Sequence, residues 1–537
     1  MLNNIFQKMI WVILAVFLGV SLMTLWQAPL LPDDASIYAL IIKNFAIYGQ
    51  WSAQFITPGD FSSFIDKPLL GIWLMGFIPK LMGISELSVH IPNFVYYLVM
   101  LLLAYLVIGR LANKQIAFYT TLVMATSLNL IIFVRTPKLE IIFALFTFMA
   151  NMALYAYLKK NKVAYMYLLA IILGLGFLVK SGLILVLTGL NIILIMMVHK
   201  NSRDQIWGLM KTRHFWGTGL IFLGIVGGVL GWQYGSLENY GAAYLRSLVW
   251  ESKYNIGYLG LTFNLNAVGF LLLTIFPWTA LFLSELRINF KKIYTPNLSL
   301  FNFCKLWFLS TFVFFLLFYK QTDLRNFVVL VPPLAIIGGT KIILSQFLKK
   351  ARPMLVILNN VLLTLFTLAA VLFLLNPANL ENIDKFFLKL VLALFILALF
   401  SLGNFYKKPL PRKFLLSFIT VCVAYTALFY FAPPLIKSSN PNLKWPQIIK
   451  QYQTQGYKFY IYRPQDRNLY MSTDLSYTDF IAGPADKYFW EKDALLNVLA
   501  TENKVLVLSE SKSWEKLGLN NYQSVAQDQE ASIFVLN

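Results

Sequence analysis

Long apolar stretches separated by short polar loops dominate the first 437 residues of the chain. A helix that crosses a bilayer needs about 20 mainly apolar residues. Thirteen stretches are candidates: 10–26, 89–109, 117–134, 140–158, 164–179, 182–198, 216–236, 266–284, 300–319, 326–345, 354–375, 386–404 and 414–433. The pattern therefore predicts an all-α polytopic membrane protein with about thirteen transmembrane helices.

The loop between the first two predicted spans, residues 27–88, is long, and its pattern predicts two further helices. Apolar residues recur with helical spacing from Asp34 to Tyr48, which predicts a helix lying on the membrane surface. Residues 68–82 are mainly apolar but too few to cross a bilayer, which predicts a re-entrant or interfacial helix.

The last hundred residues, 438–537, have a different pattern. Strand-like runs occur at 458–462, 504–508 and 531–536, and residues 493–499 have the pattern of a helix. Ten basic and eleven acidic residues balance one another in this segment. We expect a small soluble α/β domain of a size that can fold alone, and we place the boundary of the membrane domain at residue 437.

The composition agrees with a membrane protein. Hydrophobic residues make up 58% of the chain and charged residues 13%, whereas a soluble globular protein carries about 25% charged residues. This excludes a soluble enzyme, a disordered chain and a nucleic-acid binder. The two cysteines and three histidines have no disulfide or metal-ligand spacing.

The net charge of +21 arises mainly in alternate loops between the predicted spans. These loops hold nineteen Lys and Arg residues but only two acids, while the other eleven acids of residues 1–437 lie on the opposite side. Because cytoplasmic loops collect basic residues, we predict a cytoplasmic N-terminus and a C-terminal domain on the outer side.

Acidic and basic side chains in the outer loops lie directly beside apolar spans. Carboxylates at such positions can act as general bases, and Lys or Arg can hold a phosphate. The mixture fits a lipid-phosphate substrate whose head group reaches the outer interface. The alternative from another class is a transporter or lipid flippase, which would need polar groups within its spans or broken helices in matching halves.

Several short motifs sharpen this interpretation. They lie at residues 32–39, 49–51, 64–73, 86–92, 135–140, 176–182 and 325–333. In order and spacing they resemble the bacterial GT-C glycosyltransferases, which are relatives of the protein O-mannosyltransferases and of the aminoarabinose–lipid A transferase. The chain departs from the family's pattern at Ala35, Leu69, His90, Glu140 and Phe327.

The resemblance implies a GT-C fold in the bacterial inner membrane and an inverting transfer of sugar from a polyprenyl-phosphate donor. The implied acceptor is a lipid A-like glycolipid, with a protein acceptor as the alternative. It implies that Asp34 and Glu140 are catalytic, with Asp34 as the base. It implies substrate binding by Lys67, Arg135, Lys180, Tyr38 and Arg325. No cofactor is expected, a divalent metal is left open, and the expected partners are the donor, the acceptor and membrane lipids, without nucleic acid.

Each of these residues also has an ordinary structural interpretation. Asp34 is a suitable N-cap for the helix that follows it. Lys67 can extend its ammonium group to the membrane interface. Arg135 and Glu140 can form a structural pair, and Lys180 can anchor a helix end at the interface.

Overall fold

The structure is a computed structural model, and it describes the following residues: 4–28, 30, 34–49, 51, 67–236, 264–279, 298–319, 323–347, 414–415, 417–426, 428–429, 445–462, 485–489, 491–519, 522–527 and 531–536. The described residues of the membrane domain form α-helices joined by short turns. Their bounds are Asn4–Met23 (α1), Asp34–Tyr48 (α2), Leu70–Met82 (α3), Glu86–Leu111 (α4), Lys114–Ala125 (α5), Leu128–Val134 (α6), Glu140–Lys160 (α7), Ala164–Lys180 (α8), Leu183–Val198 (α9), Lys200–Met210 (α10), Arg213–Ser236 (α11), Asn266–Thr274 (α12), Leu300–Leu317 (α13), Val331–Phe347 (α14) and Ser417–Thr426 (α15). Short 3-10 helices cover Leu25–Gln27 and Leu324–Leu330.

Among the described residues, six helices are long and apolar enough to cross a membrane, or up to eight if each of two bent pairs is one span. The six are Gln7–Gln27, Glu86–Leu111, Glu140–Lys160, Arg213–Gly235, Leu300–Leu317 and Leu324–Leu344. The chain is therefore a multi-pass membrane protein. The count of thirteen spans stays a prediction, because candidates 354–375 and 386–404 lie outside the described residues.

Two predicted spans are interrupted. The span expected at 117–134 is divided into α5 and α6, which meet at an angle of 58°. At the break, Thr126 and Ser127 donate their hydroxyls to carbonyls four residues earlier, and such bonds bend helices. The span expected at 266–284 has its described helix end at Thr274, because Pro277 lacks the N–H group that would continue it.

Close contacts between backbones hold the bundle together where glycine replaces a side chain. A Cβ atom on Gly339 of α14 would lie 2.6 Å from the Thr120 hydroxyl of α5. The α5 and α14 helices thus approach closely, as membrane helices do at small residues.

Helix α2 has the predicted bounds but a different environment. Ten of its residues from Ala35 to Phe45 are buried, including Lys43 and Asn44. Helix α3 covers one side of it, and Gly76 of α3 receives the Phe45 ring. Protein therefore covers most of α2, and its position at the membrane surface stays a prediction.

The C-terminal segment forms a five-stranded sheet in the order β2-β1-β3-β5-β4. The strands are Lys458–Tyr462 (β1), Lys487–Phe489 (β2), Val505–Glu510 (β3), Gln523–Gln527 (β4) and Ala531–Leu536 (β5). Strands β2, β1 and β3 are parallel, whereas β5 runs antiparallel to both β3 and β4. Helices in this segment are Trp445–Thr454 (α16), Lys492–Leu499 (α17) and Ser511–Glu515 (α18). The first packs on one face of the sheet and the other two on the opposite face, which confirms the predicted small α/β fold.

Candidate active site

An ion pair joins the loop between the first two predicted spans to a segment 291 residues away in sequence. Arg325 donates through Nη1 to Oδ2 of Asp34, the first residue of α2. The guanidinium also contacts Asp323, whose Oδ2 lies 3.3 Å from the Arg325 Nε atom. Both partners of the first pair are partly accessible, with 35% of the Arg325 side chain and 42% of the Asp34 side chain exposed. A ligand can therefore reach this pair.

A second, more buried ion pair lies at the junction of α7 and α8. Lys180 ends α8, and its Nζ atom lies 3.1 Å from Oε1 of Glu140, which begins α7. Only 12% of the lysine side chain and 6% of the glutamate side chain are exposed. The other carboxylate oxygen of Glu140, Oε2, is buried and accepts no hydrogen bond from any residue that the structure describes.

The two ion pairs belong to one charge network. Glu140 interacts electrostatically with Arg325 and with Lys138 as well as with Lys180. Arg325 thus interacts with both the Asp34 and the Glu140 carboxylate, although the two acids come from different predicted loops. The network brings together four of the predicted catalytic and substrate-binding residues, Asp34, Glu140, Lys180 and Arg325, and can hold a phosphate near a carboxylate.

Lys67 lies just before α3, and the start of α3 packs near the second ion pair. A Cβ atom on Gly71 would lie 2.8 Å from the Leu139 side chain and 3.5 Å from that of Val179. The start of α3 therefore packs against the residues that precede Glu140 and Lys180. Lys67 lies four residues upstream of Gly71, and 8% of it is exposed.

Tyr38 lies one helical turn after Asp34 on α2, so the two side chains share a face of the helix. Tyr38 is half-buried, and it lies on the same side of α2 as the Asp34 carboxylate.

Arg135 has a different environment from the other predicted residues. Its guanidinium donates to the Ser21 carbonyl and to both the carbonyl and the hydroxyl of Thr24, at the end of α1. It also stacks on the Phe429 ring at 4.3 Å. Burial lowers the pKa of Arg135 to about 10, so the group stays charged at neutral pH. These contacts give Arg135 the role of a helix-end cap, and its role in phosphate binding stays a prediction.

The buried Asn93 of α4 is a further residue of this region, and the sequence motifs did not single it out. Its amide nitrogen donates to the Thr136 carbonyl and, at 2.7 Å, to the Lys138 carbonyl. Asn93 thereby fixes the turn that leads into Glu140. The available signal was a polar residue directly after Pro92 in an otherwise apolar span.

Metal ligands are not grouped in the part of the chain that the structure describes: no set of three or more His, Cys, Asp or Glu residues there could hold a metal ion. Arg325, which contacts Asp34, is a group that can bind a phosphate. Lys138 and Asp323, which the motifs also did not single out as site residues, belong to this charge network.

Comparison with known proteins bears on the fold of the chain. Residues 66–232 match the sequence model of a family described as dolichyl-phosphate-mannose-protein mannosyltransferase. Along 98% of both chains, the structure resembles the crystal structure of ArnT from Cupriavidus metallidurans bound to undecaprenyl phosphate, with a TM-score of 0.74 and 15% identity. The chain has the GT-C fold. The apo form of the same ArnT matches this GT-C fold with a TM-score of 0.69 and 14% identity, again along 98% of both chains. Among curated proteins, no sequence matches the chain. The GT-C resemblance expected from the motifs is confirmed.

Proposed function

We propose that this protein is a membrane glycosyltransferase that moves a sugar from a polyprenyl-phosphate donor to an acceptor at the outer face of the bacterial inner membrane. The observation that carries the proposal is the Asp34–Arg325 pair, which joins the acid of the first outer-loop motif to a cation that can bind phosphate. The GT-C fold and the undecaprenyl phosphate bound by ArnT support a donor of this class.

The cations of the network fit the change of charge in such a reaction. A polyprenyl-phosphate sugar is a phosphodiester with one negative charge, and it leaves as a monoester with two. Lys180 contacts the Glu140 carboxylate, and Arg325 and Lys138 interact with it electrostatically. Fixed cations at this position stabilise the transition state more than the bound donor, which is the requirement for catalysis.

Asp34 is the proposed base. As the acceptor oxygen bonds to the anomeric carbon, its proton passes to the Asp34 carboxylate, while the bond from that carbon to the phosphate oxygen breaks and its electron pair stays on the phosphate. Attack on the side opposite the phosphate inverts the anomeric carbon. In the structure Arg325 holds the carboxylate, and a donor phosphate competes for the same guanidinium.

Glu140 has a supporting part in this proposal. It holds Lys180 in place through Oε1. We propose that its second oxygen, which has no hydrogen-bond partner among the described residues, accepts a hydrogen bond from a substrate hydroxyl. We further propose a lipid A-like glycolipid as the acceptor, with a protein as the alternative. Mass spectrometry of envelope glycolipids and glycoproteins from cells with and without the chain distinguishes these two acceptors.

The donor site is tested by substitutions of Lys67. Lys67→Met keeps the apolar stem and removes the charge, whereas Lys67→Arg keeps the charge in a planar group. We expect Met to weaken donor binding and turnover together, and Arg to restore part of both. The exposed Lys80 at the other end of α3, whose ammonium lies over the Trp51 ring, is the matched control. If Lys67→Met and Lys80→Met both leave donor affinity and turnover unchanged, Lys67 is an interface anchor.

A further inference from the structure

A cavity of about 680 Å³ lies at the end of the bundle that carries the basic loops. Helix α7 extends from Glu140 in the candidate active site to Lys159 in the wall of this cavity. Nineteen residues separate the two, which at 1.5 Å per helical residue places the cavity roughly 28 Å from the active site. It is therefore a separate site at the opposite membrane face.

One lysine, Lys159, lies in the described wall of the cavity. Lys159 is exposed and donates one hydrogen bond to the Leu111 carbonyl, and an ammonium group has two more donors to offer. The described residues that line the cavity include no Asp or Glu. A ligand in this cavity therefore meets a positive charge without a competing carboxylate.

Three helices begin at the wall of the same cavity. Their N-cap residues Asn113, His199 and Ser299 all line it and precede α5, α10 and α13. Helix N-termini carry partial positive charge, which adds to that of Lys159. Lysine and convergent helix N-termini together favour an anionic group, and phosphate is the common one of this kind.

The other part of the wall is apolar. Leu158, Leu298 and Phe301 line the cavity beside its polar groups. An apolar wall of this kind fits the glycerol and first acyl carbons of a lipid better than it fits a free ion. The cavity lies at the last turns of α4 and α7, and lipid head groups are expected at the ends of such helices.

We propose that this cavity binds the phosphate head group of an anionic membrane phospholipid. The site does not depend on the proposed glycosyltransferase activity, since it lies at the other end of α7. Phosphatidylglycerol is the probe, phosphatidylcholine is the lipid control, and inorganic phosphate tests whether the phosphate group alone is bound.

The experiment uses the full chain purified in detergent. Native mass spectrometry measures retained phosphatidylglycerol for the wild type and for Lys159→Gln. Lys160→Gln is the matched control, because Lys160 is exposed on the same helix but lies over the Tyr165 ring and does not line the cavity. Because Lys159→Gln removes a charge-assisted hydrogen bond to the phosphate, we expect it to weaken lipid binding about tenfold or more, and Lys160→Gln to leave it unchanged.

Hydrogen–deuterium exchange of the wild type provides a test that needs no variant. We expect phosphatidylglycerol, and not phosphatidylcholine, to protect residues 111–116 and 199–205. Equal lipid retention by the two variants, or no protection of these residues, would overturn the proposal. Protection by inorganic phosphate but not by phosphatidylglycerol would overturn the assignment to a lipid.

Discussion

Removing the charge of Lys180 is expected to destabilise the protein, because the buried Glu140 carboxylate then loses its counter-ion. Lys180→Met keeps the apolar stem of the side chain and leaves Glu140, whose side chain is 6% exposed, without its nearest counter-ion. Removing one partner of a buried ion pair typically costs about 3–5 kcal/mol. Arg325 and Lys138 also interact with Glu140, so we expect a loss near the lower limit, about 3 kcal/mol.

The double variant distinguishes this cause from a general loss of packing. Glu140→Gln alone leaves a lysine that retains some access to water, and we expect it to cost about 2 kcal/mol. When Lys180→Met and Glu140→Gln are combined, neither member of this pair leaves the other's charge without its counter-ion. We expect the pair of substitutions to cost about 2 kcal/mol, well below the sum of about 5 for independent effects.

The assay is the melting temperature of the four proteins in one detergent, with Lys160→Met as an exposed-lysine control. The double variant should melt above Lys180→Met, although it carries one more substitution. A double variant that loses as much as the two single variants together would refute the reasoning, since the two residues would then act independently.

Three further predictions concern single residues. Asn93→Leu should lower stability by about 2 kcal/mol, because two buried carbonyls of the turn before Glu140 lose their donor, and a melting temperature within one degree of wild type would contradict this. Ser181 has a positive φ of 55°, so Ser181→Gly should raise stability by about 1 kcal/mol in the same assay, and a fall would contradict a strained backbone. Burial and the hydrogen bond to Glu502 raise the pKa of Tyr460, so the C-terminal domain should lose stability as the pH rises above the ordinary tyrosine pKa of about 10. Tyr460→Phe should weaken this alkaline loss in a melting series from pH 8 to 12, and an unchanged slope would show that Tyr460 does not cause it.

Local patterns predicted the elements whose neighbours in sequence determine them. The bounds of α2 follow from helical spacing and from an acid at the first turn, and strands β1 and β5 from continuous apolar and aromatic runs. Strands β2 and β4 were missed because they are short or polar, and their pairing depends on strands distant in the chain.

Local patterns did not predict which charged residues of the candidate site form ion pairs. The motifs selected Asp34 and Arg325 separately, but nothing local indicates that residues 291 positions apart form an ion pair. For Glu140, adjacent charges suggested Arg135 as a structural partner, whereas the fold brings Lys180 to it and directs Arg135 to the end of α1. Tertiary packing decides which of several basic residues meets a buried acid.

The most direct test of the proposed function is sugar transfer by the purified chain in nanodiscs that contain a polyprenyl-phosphate sugar and an envelope extract as the acceptor source. The measured quantities are the released polyprenyl phosphate and the sugar found on the acceptor. The wild type should consume the donor. Asp34→Asn, which keeps the shape of the side chain but cannot take a proton, should be slower by about 10²–10⁴-fold while still binding the donor. No donor consumption by the wild type, or turnover of Asp34→Asn within about threefold of it, would contradict Asp34 as the base of a glycosyltransferase.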